Sequence, residues 1–126
     1  MARAQHVKHQ QKEMTMKIKQ IDWDKTGGTS LQGYVTVSYD DLVEAFGKPD
    51  SVGDGYKTDA EWNLEIDDTI VTIYNYKNGR NYNGAQGLAV DQITDWHVGG
   101  FTRIGGFTRI AVDLVKEALF LKKTKV

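Results

Sequence analysis

Between Glu61 and Tyr76 two runs of alternating character, EWNLEI and TIVTIYNY, are separated only by Asp67-Asp68. Period-two alternation specifies strands, and so short a separation makes them antiparallel neighbours. A two-residue loop sets Ile66 opposite Thr69, Leu64 opposite Val71 and Trp62 opposite Ile73, so these six side chains share one nearly apolar face. The other face carries Glu61, Asn63 and Glu65 against Ile70, Thr72 and Tyr74, half polar and solvated. Asp-Asp suits a type I′ turn less well than Asp-Gly, so a longer loop is the alternative.

A short helix precedes this hairpin. Ser38 stands where an N-cap belongs, with Asp41 three residues on as its capping-box partner. Tyr39, Leu42, Val43 and Phe46 recur at the spacing of one helical face, Gly47 ends the helix and Pro49 prevents its resumption. Elsewhere Met16–Ile21, Gly33–Val37 and Gln92–Val98 read as strands, the last with Ile93, Asp95 and His97 on one side and Thr94, Trp96 and Val98 on the other. Asn75–Gly87, rich in Asn, Gly and Tyr, reads as a long excursion, either a wide hairpin loop or a mobile flap. From Thr108 to Lys123 a wide apolar face returns at helical period, closed by lysines. The fold class is α+β: one domain over 16–126 after a flexible basic arm at 1–15, with an antiparallel sheet of four to five strands and two main helices. The Trp62, Leu64, Ile66, Val71 and Ile73 face is expected to be buried against Leu42, Phe46 and the last helix.

At 126 residues the chain supports one core, and its charged fraction of 26% is that of an ordinary globule. No apolar run approaches the roughly 18 residues of a membrane helix. The polar N-terminus lacks a signal-peptide core, so a cytoplasmic location and no membrane are expected. With no cysteine there is no disulfide, thiolate nucleophile or Cys-based zinc site. The net charge of −1 conceals a strong asymmetry. Residues 40–68 hold ten acids against two lysines, a net of −8, whereas the first twenty residues carry +4 and the last five +3. An acidic field of this kind repels nucleic acid and attracts basic protein surfaces. Candidate protein-binding residues are therefore Asp40, Asp41, Glu44, Glu61, Glu65, Asp67 and Asp68, and direct nucleic-acid contact is expected only through the basic arm.

The chain carries no convincing catalytic constellation. Adjacent acids such as Asp40-Asp41 and Asp67-Asp68 diverge on a helix or at a turn, whereas catalytic carboxylates must converge. His97 and Asp95 share a strand face, but no serine or lysine nearby in sequence completes a triad, so the histidine reads as structural. His6 and His9 lack further metal ligands. Tyr74, Tyr76, Tyr82 and Trp96 could stack on bases, yet only Lys77 and Arg80 supply positive charge beside them, which favours protein contact or packing. No cofactor is implied.

A perfect tandem hexapeptide, Gly99–Ile104 and Gly105–Ile110, precedes the last helix. Two copies are too few for a solenoid, and a tolerated duplication is the simplest account. The alternative is a ligand-binding nest in which Thr102, Arg103, Thr108 and Arg109 hold a small phosphorylated ligand at the helix N-terminus.

The order strand, helix, Gly47-Lys48-Pro49-Asp50, then a Trp-containing hairpin resembles one repeat of the β-lactamase-inhibitor-protein-like fold over Tyr34–Tyr76, a resemblance that implies a protein-binding sheet. The wider set TSLQGY at Thr29–Tyr34, DAEW at Asp59–Trp62, TIYN at Thr72–Asn75 and DWHVGG at Asp95–Gly100 is similar to small uncharacterised bacteriophage proteins. That similarity implies a phage origin and a host-cell setting. The expectation is a non-enzymatic accessory protein acting by stoichiometric binding, inhibiting a host defence protein through its acidic face. Binding of a phosphorylated nucleotide, or a structural or assembly role in the virion, stands as the alternative, and homo-oligomerisation is left open.

Overall fold

The computed structural model describes residues 16–50, 55–101 and 110–124. The arm, with His6 and His9, and the proposed nest residues Thr102, Arg103, Thr108 and Arg109 lie outside the described residues. The elements are β1 (Ile18–Gln20), β2 (Ser30–Thr36), α1 (Tyr39–Phe46), β3 (Glu61–Ile66), β4 (Thr69–Tyr74), the single turn α2 (Arg80–Asn83), β5 (Asp95–Gly100) and α3 (Ile110–Thr124). The five strands form one antiparallel sheet in the order β1-β3-β4-β5-β2, and the fold is α+β. No helix among the described residues is long and apolar enough to cross a membrane.

The hairpin has the register its alternation predicts: Ile66 faces Thr69, Leu64 faces Val71 and Trp62 faces Ile73. The connection is the two-residue one, not the longer alternative. Asp67 and Asp68 both take left-handed backbone, at φ 48° and 67°, as a type I′ turn requires. Asp67 offsets the cost of that conformation by a tie to the sheet edge. Its Oδ1 accepts from Lys17 N–H at 2.9 Å, and its own N–H donates to Lys17 C=O at 2.9 Å.

Helix α1 begins and ends at the expected signals. Ser38 Oγ accepts from Asp41 N–H at 3.1 Å. Gly47, at φ 86°, closes the last turn onto Val43 C=O and offers its own carbonyl to Trp62 Nε1 at 2.8 Å. Leu42 and Phe46 from this helix and Ala111, Val112, Val115, Ala118 and Leu119 from α3 join Val35, Trp62, Leu64, Ile66, Val71, Ile73, Trp96 and Val98 in one buried cluster. The Trp62 and Trp96 rings meet edge-on at 5.3 Å near its centre. Both helices therefore cover one face of the sheet; among the described residues no such helix packs on the opposite face, although the 3₁₀ turn Trp23–Thr26 approaches β4 and Thr72 on that side is buried.

Two expectations need correction. The strand read over Gln92–Val98 starts only at Asp95, because Val90–Gln92 forms a 3₁₀ turn. That turn carries Ile93 into the core, fully buried, and away from the side of Asp95 and His97. The stretch 75–87 is indeed a wide connection between antiparallel neighbours, β4 and β5, but a dense set of side-chain hydrogen bonds ties it down.

The uncovered sheet face as candidate functional site

Side chains that alternate away from the core must emerge on the uncovered face. Registers between neighbouring strands then align residues far apart in sequence. Glu61 lies opposite Tyr74, Tyr74 opposite His97, and His97 opposite Tyr34, so one row crosses β3, β4, β5 and β2. The row below it runs Asn63, Thr72, Gly99 and Leu31.

His97 is the hub of an aromatic cluster. Tyr34 meets it edge-on at 4.9 Å, Tyr74 tilts toward it at 5.4 Å, and Tyr76 stacks on it at 5.2 Å. Among the described residues no hydrogen bond joins His97 to Asp95, so the two share a strand side without forming a dyad. Partial burial holds the His97 pKa below its ordinary value of 6.5. Burial, helped by the Glu61 carboxylate and by Tyr34 and Tyr76, holds the Tyr74 phenol above 10. At neutral pH His97 is thus an uncharged imidazole beside the uncharged Tyr74 phenol. Tyr34 is 61% exposed and Tyr76 38%, so the cluster presents ring surface to solvent.

The patch continues along the 75–87 connection. Lys77 Nζ lies 5.2 Å from the Tyr76 ring centre and 5.3 Å from that of Tyr82, and Tyr82 in turn touches Tyr56 at 5.4 Å. What holds this platform is a buried amide. Asn75 is fully buried; its Oδ1 accepts from the N–H groups of Asp59 at 2.7 Å and Ala60 at 3.1 Å. Its Nδ2 donates to Asp59 Oδ1 at 2.8 Å and Asn78 Oδ1 at 3.0 Å. Asp59 Oδ2 accepts from Asn81 N–H at 3.1 Å, which fastens the start of α2. Gly79 passes so near that a Cβ there would sit 2.0 Å from Asp59 Oδ1.

The seven acids expected to form one face are divided among three places. Asp40, Asp41 and Glu44 stand on α1, on the helix side of the sheet. Glu61 and Glu65 emerge on the uncovered side, where Glu65 Oε1 pairs with Lys19 Nζ at 3.4 Å. Asp67 and Asp68 sit at the hairpin tip. Asp95, exposed on β5, adds a further carboxylate beside the aromatic row. The proposed stacking set also divides, since Trp96 is fully buried with Nε1 bound to Val37 C=O at 3.0 Å, whereas Tyr74, Tyr76 and Tyr82 lie with the uncovered patch. Strand alternation explains this, because Trp96 and His97 are adjacent and point to opposite faces. Among the described residues no group of three His, Asp or Glu side chains is placed to hold a metal ion.

No family model, no curated protein and no solved structure matches this chain.

Proposed function

We propose that this chain acts by stoichiometric binding of a protein, and that the uncovered sheet face is its docking surface. The observation carrying this reading is the row Glu61, Tyr74, His97 and Tyr34, capped by Tyr76 and rimmed by Glu65 and Asp95. Tyrosines fixed on a sheet offer large contact area at low entropic cost, and such residues dominate binding hot spots. The carboxylates at the rim select a partner with arginines or lysines, whose cations can also stack over the exposed rings of Tyr34 and Tyr76. Nucleic acid is disfavoured by the same carboxylates.

The partner class is a protein with a basic surface. Similarity to bacteriophage proteins adds the setting: a viral accessory protein working in the host cytoplasm, for which the nucleic-acid-binding site of a host defence factor has the required charge. The test is mass spectrometry of what copurifies from host extract with the parent, with a Tyr34→Ala/Tyr76→Ala variant and with an Asp40→Lys/Glu44→Lys variant. The expected result is one partner, lost with the tyrosines and kept by the helix variant. Reversing Glu61 and Asp95 to lysine should slow association more than it speeds release, and binding should weaken with salt. A partner that survives loss of both tyrosines, or binding indifferent to ionic strength, overturns the reading.

A further inference from the structure

The two edges of the sheet differ in kind. The β1 edge is three residues long, flanked by Lys17 and carrying Lys19, the sort of charge that discourages strand addition. The β2 edge is seven residues long, S-L-Q-G-Y-V-T, with no charge and no proline. A bulge between Leu31 and Gly33 interrupts its start, and beyond it Gly33–Thr36 run regularly beside β5. Among the described residues no strand pairs with its outer side.

Beside this edge lies a groove of about 490 Å³ walled by Tyr34, Val35, Val37, Lys116, Leu119 and Phe120. Phe120 is 62% exposed, a large apolar side chain set next to a strand edge. We propose that a second copy of this chain occupies the edge, β2 pairing antiparallel with its own counterpart about a two-fold axis near Tyr34 and Val35.

Three observations favour a second copy over other occupants. An isologous contact requires a self-complementary surface, and an uncharged strand edge meets that condition. On α3, Asp113, Lys116, Glu117 and Phe120 are exposed and follow the i, i+3, i+4, i+7 spacing of one helical face. Two such helices running antiparallel across the axis bring Lys116 of each opposite Glu117 of the other, so the flanking charges pair instead of repelling. The chain's net charge of −1 adds little repulsion between copies. The arm at 1–15 is a poorer occupant, being basic, polar and joined to the chain ahead of β1 at the far edge. Pairing of this kind gives one ten-stranded sheet with both uncovered faces on the same side and the two Tyr34 rings adjacent.

The inference stands apart from the partner reading, and sedimentation across the micromolar range tests it. The parent should sediment at twice the monomer mass, and so should a chain lacking residues 1–15. Thr36→Lys, which places a gatekeeping lysine on the edge opposite Asp95, and Phe120→Glu should each reduce the mass to that of the monomer with the far-ultraviolet spectrum unchanged. The alternate amides of Gly33–Thr36 that point away from β5 should exchange faster in the monomeric variants than in the parent, and those bonded to β5 should not. Phe120→Glu should still capture the protein partner, so loss of the dimer and loss of partner binding remain separate results. A monomeric parent, a parent that dimerises only when 1–15 is removed, or a dimer that survives both substitutions overturns the proposal.

Discussion

Replacing Asn75 with alanine removes a side chain that is fully buried and makes four hydrogen bonds. Two of those partners are backbone N–H groups, one is a neutral amide oxygen, and one is the Asp59 carboxylate. A neutral bond contributes about 1 kcal/mol net and one to a charged group about 2 kcal/mol, while orphaned donors add desolvation cost. Some of these groups will recover partners in water, so the cost of Asn75→Ala should be about 4 kcal/mol. For a domain of this size that corresponds to a fall in melting temperature of roughly 15 °C. Asn81→Ala, which removes one exposed-residue bond to Thr58 C=O, should cost only about 1 kcal/mol. Asn75→Asp keeps the shape and both accepted bonds but sets a carboxylate against Asp59 Oδ1, where an N–H₂ donated at 2.8 Å. Its cost should shrink as pH falls into the carboxylate range, because the introduced carboxyl can then donate. Urea unfolding of the three variants at two pH values measures all of this. A cost for Asn75→Ala no larger than that of Asn81→Ala would refute the claim that this amide ties down the connection.

Asp68→Gly should stabilise the chain by about 0.5–1 kcal/mol in the same assay, since glycine takes the 67° φ without strain and Asp67 keeps its tie to Lys17. The lowered His97 pKa means that the unfolded chain binds more protons than the folded one below 6.5. Stability should therefore be level above that value and fall as pH drops through the folded pKa, and His97→Gln should reduce the acid-side slope in a pH series of melting curves. Tyr74 acts at the other end, its raised pKa costing stability as pH climbs above 10. Deleting residues 99–104 leaves G-G-F-T-R-I after Val98, so β5 regains the same end. Gly100 and Ala111 are so close that a Cβ on the glycine would lie 3.0 Å from that of the alanine, and the shortened connection still spans them. Calorimetry should show stability equal to the parent or higher by less than about 1 kcal/mol, and loss of a phosphorylated ligand on deletion would instead favour the nest.

What could be read in advance was local. Trp62 to Ile73 state their pairing because a period of two and a two-residue loop leave one register that buries the indole. Ser38, Gly47 and Pro49 likewise mark α1 by backbone chemistry alone. The Tyr34, Tyr74 and His97 cluster was hidden because it depends on β2 crossing to pair with β5, a neighbour more than 60 positions away in sequence. Parity offered a partial signal, since each of these residues alternates with a core residue, Val35, Ile73 or Trp96. Asn75 was obscured for a different reason. An Asn-Gly-Tyr stretch suggests turns, and nothing local shows that one of its amides meets Asp59 inside the fold.

The glycine pair ending β5 has a consequence for which strand the chain builds. A Cβ at Gly99 would lie 2.4 Å from Thr72 Oγ1, so the sheet demands a bare backbone there. The duplicated sequence supplies a second Gly-Gly at 105–106, six residues on, and an even shift preserves which side chains face the core. In that frame Ile104 would replace Val98 acceptably, but Thr102 would replace Trp96. A threonine cannot fill a fully buried site that packs against Trp62 and donates to Val37 C=O. The indole at 96 is thus the index mark that separates two otherwise interchangeable strand ends, and Trp96→Thr should remove the preference for the first of them at a large cost in stability.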